Sequence, residues 1–350
     1  MIIIFLTRPS IKVATTIKDI AHALGCSPST VSRALHDHPQ INEDTKKAIR
    51  QMAKKMNFQI NQVAAGLRKH KTFCIGVIVP SISNYFFSAT LSGIQDAASK
   101  RQYQVLVCQT NESVVEEERY ARALSAGRVD GILLSVSMDS QKHEHLTDLL
   151  SQKIPLVLFD RTMDKLDVFK VEAEDYEGSV RVTEHMIKKG CKKIAYLAGP
   201  ESLINNSRNR LAGYCDALKN NGMAFDKSLM RVCDFDKEKA REAVKELMSQ
   251  YSDIDGIYAV NDELAVEAIL TLKSLGIAVP GQVCVSGFGN YPIAEIVEPQ
   301  LTTIGHNPYL IGYKAAERIM GEIHRDVSLG NDPRIELVKS SLIERGSTAR

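Results

Sequence analysis

From Thr16 to Leu35 the chain reads TIKDIAHALGCSPSTVSRAL. The side chains here that can do chemistry are spaced for one helical face. Ser29, Thr30, Ser32, Arg33 and His36 point outward from a helix that opens at Pro28, while Val31, Ala34 and Leu35 point inward. Hydroxyls and a guanidinium on the outer face of the second helix of a short pair suit the DNA major groove. The elements that position this face are equally local. Ile17, Ile20, Ala21 and Leu24 form one apolar stripe, with Thr16 capping it and Asp19 three residues on. Gly25 supplies the turn, and Ser27 caps the second helix with Pro28 in its first position. A glycine turn between two such helices is a helix-turn-helix.

Catalytic spacings are missing. The sequence has no G-x-S-x-G, no Walker sequence and no G-x-G-x-x-G after a strand, and its nine histidines form no H-E-x-x-H. His143 and His145 flank Glu144 on a polar stretch that reads as solvated surface. The seven cysteines are scattered without a C-x-x-C, which argues against a disulfide framework or a structural zinc and for a reducing compartment. No enzyme activity, cofactor or metal is expected.

The 350 residues are too many for one typical domain. The net charge of +2 hides an asymmetry: residues 1–72 hold 12 Lys/Arg against 4 Asp/Glu, a balance of +8, and the remainder balances at −6. A basic head on an acidic body points to a polyanionic partner for the head alone. The opening MIIIFL is too short to span a bilayer and lacks the basic region of a secretory signal. Residues 1–14 are expected to be a disordered extension, no membrane association is expected, and the cytoplasm, alongside the nucleoid, is the expected location.

After the helix pair, Asn42 is set to cap a third helix with apolar Ala48, Ile49, Met52, Ala53 and Met56. Its opposite face carries Lys46, Lys47, Arg50, Lys54 and Lys55, available to phosphates. Residues 57–72 read as a basic linker, in which Asn61 could start a short helix and Leu67 lies beside Arg68, Lys69 and Lys71. An apolar side chain among bases and phosphates has the parts of a minor-groove wedge. From Phe73 the pattern changes. Apolar strand-like runs (73–80, 104–108, 131–135, 156–159, 194–198, 256–260, 283–288, 302–306) alternate with helical stretches (86–101, 116–126, 177–189, 207–220, 237–250, 263–275, 308–322). Repeated βα units imply parallel sheets covered by helices on both faces. Asp130-Gly131-Ile132 and Asp255-Gly256-Ile257 each open a strand, which suggests two similar lobes with a ligand cleft between them.

Over about residues 15–345 the sequence resembles the lac repressor/gal repressor family of bacterial transcription regulators. TIKDIAHALGCSPSTVSRAL, NQVAAGL, IGVIVPSISNYFF, DGILL, RNRLAGY, VNDELA, VSGFGN and LTTIGH carry the likeness. The resemblance implies an all-α helix-turn-helix headpiece (15–57), a hinge (58–72) and an α/β two-lobed core like a periplasmic sugar-binding protein (73–345). The chain would cross between lobes near 171, 304 and 334, giving an N-lobe of about 73–171 and 305–334 and a C-lobe of about 172–304 and 335–345. By motif position the DNA-facing set is Thr16, Ser27, Pro28, Ser29, Thr30, Ser32, Arg33 and His36, with Asn61, Ala64 and Leu67 in the hinge. Arg33 is suited to guanine, whose O6 and N7 its fork can bond together. The effector set is Tyr85, Phe86, Ser135, Asp160, Arg210, Asn261, Asp262, Asn290 and His306, with two of Tyr85, Phe86 and Phe87 expected in the core instead.

Ile60 and Gly66 depart from the hinge pattern and loosen it. Sugar-responsive relatives carry Asp where Gly289 or Asn290 stands here, so one carboxylate is missing from the expected hexose contacts. The expected function is a homodimeric regulator, repressing at a pseudo-palindromic operator and controlled by a sugar-like effector. A sugar-binding transport-type protein is the alternative, disfavoured by the basic head. No apolar heptads follow Glu344, which favours a dimer over a coiled-coil tetramer.

Overall fold

The computed structural model describes residues 15–35, 37–58, 71–138, 144–200, 205–324 and 334–350. The expected extension, His36, His143, and the hinge positions Asn61, Ala64 and Leu67 lie outside the described residues. The chain divides into two compact units, 1–70 and 71–350.

Among its described residues the first unit has three helices: α1 (Ile17–Leu24), α2 (Pro28–Leu35) and α3 (Glu43–Lys55). Their caps form as the sequence predicts. Thr16 N donates to Asp19 Oδ2 at 2.7 Å and Asp19 N donates back to Thr16 Oγ1, a full capping box. Gly25 ends α1 at φ +60°, Thr30 N donates to Ser27 Oγ at 3.1 Å, and Thr45 N donates to Asn42 Oδ1 at 2.8 Å. Ile20, Ala21, Val31, Ala34, Ile49 and Ala53 make the core, and Phe58 packs against it from the segment expected to be linker. Two expectations for α3 need correction. Ala48 is exposed, and Lys46 is buried. Lys46 sits three residues before Ile49 and seven before Ala53, on the inward stripe. Its stem is covered while its amine reaches Glu43 at 2.8 Å and Asp37 at 3.0 Å.

The second unit holds two parallel sheets. The first has six strands: β1 (Cys74–Val79), β2 (Gln104–Gln109), β3 (Gly131–Leu134), β4 (Leu156–Phe159), β5 (Phe169–Ala173) and β11 (Ile335–Val338), in the order β11-β5-β4-β3-β1-β2. The second is β7 (Met230–Val232), β6 (Ile194–Ala198), β8 (Gly256–Ala259) and β9 (Cys284–Ser286), in that order. A short antiparallel pair, β10 (Thr303–Gly305) with β12 (Ser341–Ile343), lies where the chain passes between them. Because Ala173 and Val338 still pair in the first sheet, the crossings fall a few residues later than 171 and 334. Strands β5, β7, β11 and β12 escaped the apolar-run criterion. In β5 the reason is plain: Lys170 and Glu172 interrupt the run, yet both are buried.

Helices α4 (Tyr85–Lys100), α5 (Val114–Ser125), α6 (Glu144–Ser151) and α12 (Pro308–His324) cover the first sheet. Helices α7 (Asp175–Lys188), α8 (Asn205–Asn220), α9 (Lys237–Gln250) and α10 (Asp262–Ser274) cover the second, with a one-turn α11 (Ile293–Ile296). Ile75, Val77 and Val79 of β1 pack with α4 and α12 on one face, and Ile78 packs with α5 and α6 on the other. Helix α6 brings a correction: His145 is buried, with Nε2 2.9 Å from Oε1 of buried Glu117. Leu146 and Leu149 pull this face inward, and the histidine goes with them.

The two lobes repeat one device. Asp130 accepts from Thr72 N at 2.6 Å and Phe73 N at 3.0 Å, before β1. Asp255 accepts from Lys192 N at 2.8 Å and Lys193 N at 2.9 Å, before β6. Each lobe also has a helix pair in backbone contact. A Cβ on Gly93 would lie 2.0 Å from Tyr309 O, and one on Gly213 would lie 2.4 Å from Tyr176 O. Since α12 cannot retreat without leaving the sheet, Gly93→Ala should cost at least about 1–3 kcal/mol. Urea unfolding of the variant checks this, and an unchanged midpoint would contradict the close crossing.

Candidate functional site

Two surfaces concentrate the chemistry. On α2, Pro28, Ser29 and Arg33 are exposed, and the Arg33 side chain makes no hydrogen bond or ion pair among the described residues. Ser27 Oγ lies 2.7 Å from Ser29 Oγ and 2.8 Å from Thr30 Oγ1, so three hydroxyls form one cluster at the helix start. Thr16 is exposed, with its hydroxyl committed to Asp19, and Ser32 is half-buried.

The second surface is a cavity of about 280 Å³ at the carboxyl ends of both sheets. Five of the nine predicted effector residues line it together: Phe86, Asp160, Arg210, Asn261 and His306. Arg210, on α8, is fixed before any ligand arrives. Its Nε donates to Asp175 Oδ1 at 2.8 Å, Nη2 lies 2.7 Å from the same oxygen, and Nη1 donates to Val260 O at 2.7 Å. Its guanidinium carbon sits 3.8 Å above the Phe288 ring. Burial alone would weaken the hold on its proton. Asp175 more than offsets this, and Arg210 stays above its ordinary value. Asp175 is itself pushed up by burial and drawn back by Arg210.

Asp160 follows β4 with φ +59°. Burial raises its carboxyl to about 7, against the pull of Arg161 and Arg210. Its proton is therefore exchangeable near neutrality. Asn261 spends Oδ1 on capping α10, accepting from Leu264 N at 2.9 Å. His306 stacks on Phe86 at 5.2 Å, and neither buried ring nitrogen makes a hydrogen bond of normal geometry. Burial, with Arg210 nearby, holds its pKa down to about 3 against a backbone contact with Ile304, so the ring is neutral.

Four predicted effector residues are placed elsewhere. Asp262 is fully buried behind the wall, accepting from Tyr291 N at 2.6 Å and from Thr303 Oγ1, and burial raises it to about 6. Asn290 turns outward, its Oδ1 accepting from Arg345 Nη2 at 2.8 Å. Ser135 is buried but does not line the cavity, and Tyr85 is exposed outside it. Of the three aromatics, Phe86 and Phe87 both join the core and the cavity wall.

The sequence reading missed Arg161, Asn206, Phe235 and Tyr291, all in the lining. Arg161 directly follows Asp160. Its Nη1 donates to Glu112 Oε1 at 2.8 Å, and its guanidinium lies 5.7 Å from the Phe87 and Phe235 rings. A basic residue next to a strand-end acid was the available signal. Phe235, at φ +58°, is a bulky residue in the left-handed region, which no local pattern announces.

Against protein families, residues 72–341 match the model described as periplasmic binding proteins and sugar binding domain of the LacI family. Residues 16–61 match that for bacterial regulatory proteins, lacI family. The chain belongs to the LacI family. Among curated LacI-family relatives, the HTH-type transcriptional regulator RegA of Clostridium saccharobutylicum is 30% identical over 96% of this chain and 99% of its own. The ribose operon repressor of Halalkalibacterium halodurans is 28% identical over 89% and 91%. Among solved structures, a lac repressor dimer bound to operator superposes with a TM-score of 0.85 at 22% identity, covering 97% of this chain and all of that one. A CelR–cellobiose complex gives 0.73 at 25% identity, covering 95% and 99%. The two-part LacI-family architecture thus stands, and the chain is a DNA-binding transcription regulator. Among its described residues no helix is long and apolar enough to cross a membrane.

The raised carboxyl of Asp160 has a consequence for stability. Its folded-state value of about 7 exceeds the ordinary 3.8, so its contribution is fully present below about pH 4 and is lost as pH rises through 7. Asp160→Asn should therefore stabilise the ligand-free protein more at pH 8 than at pH 5. Thermal denaturation at the two pH values checks this, and a pH-independent difference would refute it.

Proposed function

We propose that this regulator is a homodimeric repressor of a pseudo-palindromic operator, controlled by a small polyhydroxylated effector, a sugar or sugar derivative, in the cavity between its lobes. The observation that carries the effector reading is His306. A neutral imidazole, neither of whose nitrogens has a partner in normal hydrogen-bond geometry, lines a cavity beside Asp160, Arg210 and Asn261, and the hydroxyls of a ligand can supply one. Relatives named for ribose and a neighbour complexed with cellobiose support the same class.

On DNA, Arg33 and Ser29 read base edges, and Thr16, Ser27, Pro28, Thr30, Ser32 and His36 set the register along the groove. Asn61, Ala64 and Leu67 act as the hinge, with Leu67 in the minor groove. Leu106 and Val107 on the edge strand β2, with Leu270 on α10 and Ile296 on α11, supply exposed apolar surface for the dimer. Effector binding alters the angle between lobes and biases the hinge, a coupling of about 1–3 kcal/mol. Work on DNA supports a location in the cytoplasm, alongside the nucleoid.

Two variants separate the parts. Arg33→Ala should weaken binding to an operator selected from random DNA by about 1–3 kcal/mol while leaving effector affinity intact by calorimetry. Arg210→Ala should keep DNA binding and lose the ligand response. A dimer with no preference for palindromic over random DNA at moderate salt would overturn the operator reading. Normal effector binding by Arg210→Ala would overturn the cavity assignment.

A further inference from the structure

Beside Gly289, one wall of the cavity is an aromatic ring, Tyr291. Gly289 has φ +138°, and a Cβ built there would lie 2.5 Å from Tyr291 Cε1 and 2.8 Å from Cδ1. A side chain at 289 and the ring of Tyr291 therefore cannot coexist. The backbone cannot slide to relieve this, because Gly289 N donates to Ile304 O at 2.7 Å and Tyr291 N to Asp262 Oδ2 at 2.6 Å. Asn290, between them, faces Arg345.

The Tyr291 ring lines the cavity and lies against Tyr85, which does not. Tyr291 is 8% exposed and Tyr85 41%. The two ring centroids are 5.4 Å apart at 57°. Tyr85 begins α4 in the first lobe and Tyr291 precedes α11 in the second, so the pair closes one wall across the cleft. The cavity, open to solvent on one side, has a volume of about 280 Å³, at the small end of ligand cavities, about 300–1,000 Å³.

We propose that Tyr291, seated in the space left by Gly289 and backed by Tyr85, is a specificity residue that confines the site to a single sugar-sized ring and excludes a disaccharide. The inference rests on the cavity being the effector site. It names what that site rejects as well as what it admits.

The test is calorimetric, on the full-length protein, with two probe pairs: D-glucose against cellobiose, and D-galactose against lactose. In the unmodified protein one monosaccharide should bind at least about tenfold more tightly than its disaccharide. Tyr291→Ala should reduce that ratio about tenfold, mainly by gaining the disaccharide, and Tyr291→Phe should keep it. Circular dichroism of each variant confirms folding. Equal binding of a monosaccharide and its disaccharide by the unmodified protein overturns the proposal. So does an unchanged ratio in Tyr291→Ala, and so does the absence of binding by all four probes. The effector reading is judged separately, by whether Arg210→Ala abolishes whatever binding is seen.

Discussion

The buried pair of Arg210 and Asp175 organises the second lobe's side of the cleft. Two opposite charges out of water are tolerable only with close geometry and every remaining donor directed. Here Asp175 takes the Nε and Nη2 edge, Val260 O takes Nη1, and the Phe288 ring covers the face. These contacts bind α7, α8, the end of β8 and the segment after β9 to one guanidinium. The same charge acts further out. It helps keep His306 neutral and opposes the burial that raises Asp160. A cavity with neutral polar ends and paired cations suits hydroxyls better than a net charge.

That pairing leaves the cleft wall to be set by packing. Asn261 and Asp262 open α10 side by side, yet one lines the cavity and the other ties Tyr291 and Thr303 behind it. The loop after β9 shows the same division: Asn290 serves Arg345, and Tyr291 forms the wall.

The headpiece was legible almost to the residue because its determinants are local. Thr16, Asp19, Gly25, Ser27 and Asn42 all do what their spacing suggests. The buried strands of apolar runs and the duplicated Asp-Gly starts were legible for the same reason. What could not be read depends on partners distant in sequence. Lys170 and Glu172 look like surface residues until Asp164 O and Thr162 bond them inside. His145 looks solvated until Glu117 meets it, and Lys46 looks outward until Asp37 closes over its amine. In the cleft, the family resemblance nominates Asp160, Arg210 and His306 by motif position. It could not tell that Asn290 turns away, since that depends on Arg345, 55 residues on.

The order of strands has a consequence for synthesis of the chain. The four strands of the second sheet and helices α7 to α10 all lie between residues 175 and 286, an uninterrupted stretch. The first lobe is different: its edge strand β11 and the helix that presses Gly312 onto Thr90 come only after residue 307. On the ribosome, the amino-terminal lobe therefore waits with one face of its sheet covered by α4 alone, while the later-encoded lobe lacks only its final segment, which seats Ser347 against Val285. The sheet begun first waits longest for its second covering helix.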